Sequence, residues 1–336
     1  MTGCGWGVRR TFSCGRGSLL LAAFLLLGGG WGSRQAEAKT LAISAAEARQ
    51  AASFWTPARM RAARPLEGRG EGATRIVQAA PTAADRVAPG VLPPLSPESG
   101  ARASSEFEAV SDSTDPTLRQ NGVIFIEAPS GFERCSGTSV NAPNYSVVFT
   151  AGHCVNSGGP RGRWLGFRWV FVPGYRYGQR PFGIFPAKWI DTTRQWRRTG
   201  SENFDVGAAV VTRNERGQLL AKAVGGSGIA WGLKARQVFD VHGYPAAPPF
   251  DGETQRLCAG TPFLGHDANS FLSPGPLNLA VDCDVTGGAS GGGWTIRHDV
   301  LDSVTNYGYR DDSQTDFGAY FGTEVARLFQ RAARVR

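Results

Sequence analysis

The sequence predicts an all-β domain, a sandwich or a barrel, that follows a long N-terminal extension. From about residue 117 onward, short apolar runs recur, and Gly, Pro, Asn and Asp separate them, which is typical of many short strands. The composition agrees, because the 336 residues include 45 Gly and 20 Pro but only 2 Met. An apolar fraction of 41% and a charged fraction of 19% exclude a chain that is disordered throughout and a protein with several membrane spans.

The strand pattern appears in seven segments, and one helix is predicted at the C-terminal end. The strand segments are 122–126, 145–150, 164–172, 206–211, 237–241, 277–281 and 300–305. The helix begins near Thr323, which we expect to be its N-cap, and Val325, Leu328 and Phe329 share one face of it. Basic and aromatic residues alternate over 161–180, a pattern that we interpret as a strand with one solvated face rather than a nucleic-acid surface.

The charge distribution gives no further support for a nucleic-acid partner. The formal net charge is +8, but residues 1–38 contribute four Arg against one Glu, and residues 39–116 are balanced. The remainder carries 23 basic and 18 acidic residues, an excess of only five. Such a mild excess is compatible with attraction to acidic surfaces and requires no nucleic-acid ligand.

Residues 1–38 have the pattern of a cleaved secretory signal. Arg9, Arg10 and Arg16 precede an apolar run from Leu19 to Leu27, which is too short to span a bilayer. Ala36-Glu37-Ala38 then provides the small-residue pattern of a cleavage site, so we expect cleavage after Ala38. An uncleaved anchor is the alternative, and the arginine pair leaves general and twin-arginine export both open. The predicted mature protein is secreted and has no membrane attachment.

Residues 39–116 differ in composition from the domain at 117–336. They contain eight of the 20 prolines and only Phe54, Trp55 and Phe107 as aromatic residues. An Ala- and Arg-rich stretch at 41–64 is compatible with a helix broken at Pro57, whereas 81–116 is typical of an extended linker. With so few large apolar side chains, the segment is expected to be poorly packed, as a pro-region, a spacer or both.

Export changes the interpretation of the cysteines. Four of them remain after the signal is removed, namely Cys135, Cys154, Cys258 and Cys283. Outside the cell they predict two disulfides, for which three connectivities are possible. A metal site is the competing interpretation, but no C-x-x-C pair occurs and the chain has only four histidines, so we expect no metal and no other cofactor.

Three segments carry residues suited to acyl-transfer chemistry. They are Thr150-Ala-Gly-His-Cys154, Asn203-Phe-Asp-Val-Gly-Ala-Ala-Val-Val211 and Thr286-Gly-Gly-Ala-Ser-Gly-Gly-Gly293. A serine hydroxyl needs a nearby base, and a histidine base needs a carboxylate that orients it. Glycines around Ser290 let backbone N–H groups converge on the oxyanion that forms during the reaction. Asp205 is preferred as the acid, because the competitors Asp240, Asp251 and Asp267 do not precede an apolar strand between the other two motifs.

Together these motifs resemble those of the trypsin/chymotrypsin-fold serine endopeptidases over about residues 117–332. The order His153, Asp205, Ser290 is the order of that family. The closer likeness is to the bacterial secreted branch that is similar to glutamyl endopeptidases, in which T-G-G-x-S-G commonly surrounds the nucleophile. The resemblance implies two six-stranded antiparallel barrels with the active site between them and a C-terminal helix after them.

The resemblance also implies roles for individual residues. Ser290 takes the place of the nucleophile, His153 that of the general base and Asp205 that of the orienting acid, while the N–H groups of Gly288 and Ser290 form the oxyanion hole. The implied disulfides are Cys135–Cys154 and Cys258–Cys283. The implied substrate-binding residues are Asp284, Thr286, Thr305, Asn306 and Gly308.

Two departures from the family pattern concern activation and specificity. The residue before Ser290 is Ala289, where many animal members have an acid that pairs with a newly cut N-terminus. Latency must therefore come from elsewhere, and residues 39–116 are the available material. The strand at 304–308 lacks the histidine that glutamyl endopeptidases use in their specificity pocket. Asp284, six residues before Ser290, has the offset of the acid that selects Lys or Arg, but the cysteine spacing there differs.

The resulting hypothesis is a secreted, monomeric serine endopeptidase that cleaves protein or peptide substrates through an acyl-enzyme. One alternative is a secreted binding protein on the same fold that has lost catalysis. Another is an esterase or acyltransferase with the same three residues. The intact motifs count against the first alternative, and activity on peptide and ester substrates separates the second.

Overall fold

The computed structural model describes residues 40–66, 73–78, 88–95, 108–109, 118–297 and 299–336. The predicted signal segment 1–38 and its cleavage site lie outside these ranges, as do His298 and parts of the predicted linker. None of the helices in the described ranges is both long enough and apolar enough to span a membrane.

The first six-stranded barrel is built from residues 121–211. Its strands are β6 (Asn121–Ala128), β7 (Gly131–Val140), β8 (Val147–Thr150), β9 (Val170–Pro173), β10 (Phe185–Thr192) and β11 (Gly207–Val211). Antiparallel pairs join them in the closed order β6-β7-β8-β11-β10-β9. Helix α3 (Arg194–Thr199) connects β10 to β11, and helix α4 (Leu220–Val224) follows the barrel.

The second six-stranded barrel closes in the same way. Its strands are β13 (Val238–Gly243), β14 (Arg256–Asp267), β15 (Leu279–Asp282), β16 (Gly293–Ile296), β17 (Val300–Tyr309) and β18 (Asp312–Gly318). They pair in the order β13-β14-β15-β18-β17-β16, while β12 (Gly228–Trp231) adds a parallel strand to β17. Helix α5 (Thr323–Ala333) ends the fold and packs on the first barrel's core through Val325, Leu328 and Phe329. Its N-cap is Gly322 rather than the predicted Thr323, which is the first helical residue.

The N-terminal segment adds short elements to both barrels. These are β1 (Leu41–Ala42), α1 (Ala45–Phe54), α2 (Pro57–Arg61), β2 (Arg64–Pro65), β3 (Ile76–Val77), β4 (Gly90–Leu92) and β5 (Glu108–Ala109). The break between the two helices falls just before Pro57, as the sequence predicts. Strands β1 and β2 pair with β10 and β7, whereas β3 and β5 pair with β14 and β4 with β12.

The expectation of a poorly packed segment is wrong for residues 40–66. Trp55 is 1% exposed and Met60 is fully buried, and both join the core formed by Phe125, Val170 and their neighbours. The Trp55 indole also donates a hydrogen bond to the carbonyl of Arg168 at 2.6 Å. The segment has almost no core of its own, so it buries Trp55 and Met60 against the first barrel instead.

Candidate active site

His153 and Asp205 are brought together by the pairing of two strands. His153 lies in a 3₁₀ turn directly after β8, and Asp205 ends a turn that leads into β11. Because β8 and β11 are antiparallel, with Thr150 opposite Gly207, the end of one strand lies beside the start of the other. The apolar sequences of the two strands therefore determine where these polar side chains meet.

Asp205 holds His153 at two points. Its Oδ2 lies 2.7 Å from His153 Nδ1, and its Oδ1 accepts a hydrogen bond of 2.7 Å from the backbone N–H of His153. Asp205 is fully buried, so its carboxylate is shielded from water. His153 Nε2 is also buried and makes no hydrogen bond within the described part of the chain. The second ring nitrogen is therefore in a position to exchange a proton with a substrate or a nucleophile.

The three competing aspartates have other partners. Asp240 accepts the N–H of Gly260, and Asp251 accepts the N–H of Glu253. Asp267 accepts the hydroxyl groups of Tyr307 and Tyr309 on β17. Asp205 is therefore the aspartate whose carboxylate bonds to His153.

Two side chains from other segments support this pair, and the sequence interpretation assigned this role to neither of them. Trp196 on α3 lies edge-on to the His153 ring, with ring centroids 6.5 Å apart. Asn306 donates through Nδ2 to the backbone carbonyl of Asp205, and its Oδ1 accepts the N–H of Ala319 at 2.6 Å. Asn306 was expected to contact substrate, and it also ties the second barrel to the acid of the first. The motif around Asp205 gave no signal for either contact.

Ser290 lies in a loop whose carbonyl groups are anchored to β7. Ser136 donates its backbone N–H to the carbonyl of Ser290 at 2.8 Å and its hydroxyl to the carbonyl of Gly288 at 2.9 Å. The sulfur of Cys154, the neighbour of His153, lies 3.7 Å from the same Ser290 carbonyl. Sequence reasoning missed Ser136, because a serine in the middle of a strand carries no local mark of this role.

The anchored carbonyls leave two N–H groups uncommitted. Within the described ranges, the N–H groups of Gly288 and Ser290 have no hydrogen-bond acceptor. Gly288 has φ +98°, and a Cβ there would lie 2.9 Å from Tyr244 O, so this loop conformation requires glycine. A pair of free N–H donors beside a serine is the arrangement that an oxyanion hole needs.

Ala289 stands in a closely packed position where many animal members have an acid. Its side chain is fully buried, and a Cβ placed on Gly243 would lie 3.0 Å from the Cβ of Ala289. The loop conformation is instead maintained by Ser136 and by the hydrogen bond from the N–H of Gly291 to the carbonyl of Thr305, at 2.7 Å.

A cavity of about 170 Å³ opens beside Ser290. Four of the predicted substrate-binding residues line it, namely Thr286, Thr305, Asn306 and Gly308. Asp284 is not among the lining residues, and Arg310 is the charged residue that is. The hydroxyl group of the lining residue Thr305 donates a hydrogen bond of 2.7 Å to Asp316. Burial raises the pKa of the Asp316 carboxyl well above its usual range.

The structure contains the disulfides Cys135–Cys154 and Cys258–Cys283. These are the pairs that the resemblance implies. Cys135, Cys154 and His153 lie close enough to one another to hold a metal ion. The two sulfur atoms are bonded to each other, however, so they are not available as thiolate ligands.

Comparison with solved structures identifies the family. The protease Anisep from Arthrobacter nicotinovorans is 34% identical, and the match covers 66% of this chain and 98% of Anisep, with a TM-score of 0.59. The thermostable serine protease AL20, from an extremophilic microorganism, is 28% identical over 66% of this chain and all of its own, with a TM-score of 0.60. This chain belongs to the trypsin-like serine proteases.

For the predicted glutamyl-endopeptidase-like branch, the comparison shows only a similar fold. A Glu endopeptidase, solved in complex with MPD, is 16% identical, and the match covers 68% of this chain and 97% of that one, with a TM-score of 0.52. Comparisons with models of protein families and with curated proteins find no match.

Proposed function

We propose that this chain is a secreted serine endopeptidase that hydrolyses peptide bonds with Ser290, His153 and Asp205. The observation that carries the proposal is a histidine that is held by a buried carboxylate, together with a glycine loop whose N–H groups are uncommitted beside a serine. His153 is fixed by Asp205 through Nδ1, while its Nε2 makes no hydrogen bond within the described ranges. The N–H groups of Gly288 and Ser290 have no acceptor there. In our proposal, a substrate carbonyl would meet the base, the nucleophile and the two donors together.

Each chemical step follows from this arrangement. The Ser290 hydroxyl gives its proton to His153 Nε2 as its oxygen attacks the carbonyl carbon, and the N–H groups of Gly288 and Ser290 stabilise the oxyanion. His153 then returns the proton to the leaving amine, which departs and leaves an acyl-enzyme. Water attacks the acyl-enzyme by the same sequence and releases the acid. Asp205 orients the imidazole and stabilises its charged form.

The substrate is a peptide or protein whose side chain enters the cavity beside Ser290. Thr286, Thr305 and Asn306 line that cavity together with the backbone of Gly308. Asp284 does not line it, which counts against a preference for Lys or Arg based on this residue. Anisep and AL20 are proteases, which supports a peptidase rather than a simple esterase.

Secretion follows from the predicted signal at 1–38, and the two disulfides support it because such bonds persist in oxidising compartments. We further propose a monomer that needs no cofactor, since the mechanism is complete with side chains and backbone groups.

Covalent labelling tests the proposal. A fluorophosphonate probe should label the folded mature protein, and peptide mass spectrometry should find the adduct on Ser290. Ser290→Ala should lose labelling and lower kcat by about 10⁶-fold, whereas the matched variant Ser130→Ala, at an exposed turn, should retain both. Absence of labelling in folded protein, or an adduct at another serine, would refute the assignment. Labelling with ester hydrolysis but no peptide cleavage would point to an esterase.

A further inference from the structure

A second cavity lies at the first barrel, and Ser290 is not among its lining residues. It has a volume of about 340 Å³ and opens between α3 and α5. Its lining consists of Thr40, Asp191, Thr192, Arg194, Arg197, Arg198 and Arg331. The proposed peptidase mechanism does not involve this cavity. Four of its seven lining residues are arginines.

Three of these arginines share one face of α3. Arg194, Arg197 and Arg198 stand at positions i, i+3 and i+4, which are neighbours on a helix surface. Trp196 is buried on the other side, where its indole donates to the carbonyl of Asn156 at 2.8 Å. This anchor fixes the helix orientation, so the arginine face must point toward the cavity. Like charges at these spacings destabilise a helix unless a counter-ion is present.

One carboxylate lines the cavity beside the arginines. This residue, Asp191, is 1% exposed and accepts a hydrogen bond from Arg331 Nε at 2.6 Å. Arg331 also donates to the carbonyl of Thr192 at 3.2 Å. Arg194 and Arg198 form no ion pair within the described ranges. These two arginines therefore leave an excess of positive charge at the cavity after Asp191 and Arg331 have paired.

We propose that this cavity binds a sulfate or phosphate group. Arginine is suited to such ligands because its planar, permanently charged fork donates two hydrogen bonds to adjacent oxygens of an oxyanion. The group is either a free ion or the substituent of a polymer such as a sulfated polysaccharide, since both present the same tetrahedral oxyanion. The binding is expected to be weak for the free ion, with a Kd of about 1 mM, because the arginines of α3 are partly or fully exposed.

The test titrates sodium sulfate and sodium phosphate against sodium chloride at matched ionic strength, with thermal unfolding of the mature protein as the readout. At about ten times the Kd, either oxyanion should raise Tm by about 2–3 °C beyond chloride. Sulfate also stabilises proteins non-specifically by exclusion from their surfaces, so matched variants are essential.

The double variant Arg194→Gln and Arg198→Gln should lose the oxyanion-specific shift, and calorimetry should show at least about a tenfold weaker Kd. The control Arg161→Gln and Arg163→Gln removes the same charge from exposed positions on the same barrel and should retain both. Equal shifts in the two double variants would overturn the proposal. The single variant Arg198→Gln provides a second measurement if circular dichroism shows that the double variant is not folded.

A binding experiment with a sulfated polymer distinguishes a free sulfate or phosphate ion from the same group carried on a polymer. Dextran sulfate that binds more tightly than inorganic sulfate, and loses this advantage in the Arg194→Gln, Arg198→Gln variant, would indicate a polymer-borne group. Equal affinity per sulfate would indicate a free ion. Polymer binding that the two double variants share equally would refute the cavity as the site.

Discussion

At the scale of single residues, Gly288 determines the conformation of the loop that precedes Ser290, which we call the oxyanion loop after its proposed role. Its φ is +98°, and a side-chain carbon at this position would lie 2.9 Å from Tyr244 O, which leaves no space for alanine. We expect Gly288→Ala to displace its own N–H and that of Ser290, and to lower kcat by about 10²–10³-fold. Steady-state kinetics on a peptide substrate measures this loss.

The matched control for Gly288→Ala is Gly217→Ala. Gly217 has a φ of +75° but no atom within 4 Å of its Cβ position. It therefore shares the backbone strain without the collision and should retain kcat. An equal loss of kcat in the two variants would show that backbone strain, rather than displacement of the N–H groups beside Ser290, causes the loss.

Asp302 on β17 is a buried acid, and we expect its ionisation to affect the pH dependence of stability. Burial raises its pKa to about 8, although the positive charge of Arg297 opposes the shift. Because the folded-state pKa lies above the unfolded value, the contribution of Asp302 to stability is full below about pH 4 and is lost as the pH rises toward 8.

Asp302→Asn keeps the shape of the side chain and removes its titration. We expect the variant to match the parent in free energy of unfolding near pH 4 and to exceed it by several kcal/mol, of the order of 5, at pH 9. Urea unfolding at the two pH values measures the difference. A gain that is equal at both would exclude protonation of Asp302 as the cause.

At the scale of elements, the helices before the first barrel help to form an apolar cluster on the outer face of that barrel. Trp55 contacts Phe125 and Phe132, with ring centroids 5.4 Å from each. Trp55→Ala should therefore lower the free energy of unfolding by about 3–5 kcal/mol. Leu272→Ala, at a side chain that is 84% exposed, should change it by less than about 0.5 kcal/mol.

Urea unfolding of both variants, compared at equal m-values, measures these effects. A small loss in Trp55→Ala would mean that residues 40–66 are a dispensable cover on a complete barrel. A large loss would mean that residues 40–66 stabilise the mature protein. Cleavage after Leu66 would then expose the apolar side chains that they cover, whereas cleavage before Thr40 would leave those side chains covered.

At the scale of the whole molecule, a buried ion pair joins the two barrels. Arg134 on β7 is 1% exposed, and its guanidinium lies 3.4 Å from Glu253, which precedes β14. It also donates to the carbonyl of Gly252, and Tyr175 donates to Glu253 at 2.9 Å. Desolvation lowers the pKa of Arg134, which shows the cost of burying this cation.

Glu253→Gln should cost about 3–5 kcal/mol of stability, because it leaves the buried Arg134 cation without its counter-charge. The control Glu324→Gln breaks the pair with Arg327, whose side chain is 63% exposed, and should cost at most about 1 kcal/mol. Thermal and urea unfolding compare the two. Similar costs would show that the barrels are joined mainly by their apolar contacts.

Whether activity depends on a free mature N-terminus is also a question about the whole chain. Ser136 and the second barrel anchor the oxyanion loop, and Ala289 cannot pair with an ammonium group. We therefore expect acetylation of the mature N-terminus to leave kcat/KM within about twofold, since no buried ion pair is broken. A loss of several hundred-fold would reveal an N-terminal switch with another acid as its partner.

The sequence by itself predicted the fold class, the residues proposed for catalysis and about half of the barrel strands. His153, Asp205 and Ser290 each stand in a local motif, and apolar runs such as 206–211 predict strands because alternation and punctuation are local signals. Strand β7 was not predicted, since it contains Glu133 and Arg134, charges that are typical of a surface. Only the fold shows that Arg134 is buried beside Glu253 and the aromatic rings of Phe125 and Tyr175, which offset the cost of burying its charge.

Tertiary structure alone decided the contacts that join residues far apart in the chain. Ser136 bonds to the loop around Ser290, Asn306 to the backbone of Asp205, and Trp55 packs on the outside of a barrel that begins at Asn121. None of these contacts leaves a pattern in its own segment, because each depends on the closure of both barrels. Local composition specifies which groups can react, whereas packing between distant segments specifies which neighbours hold them in place.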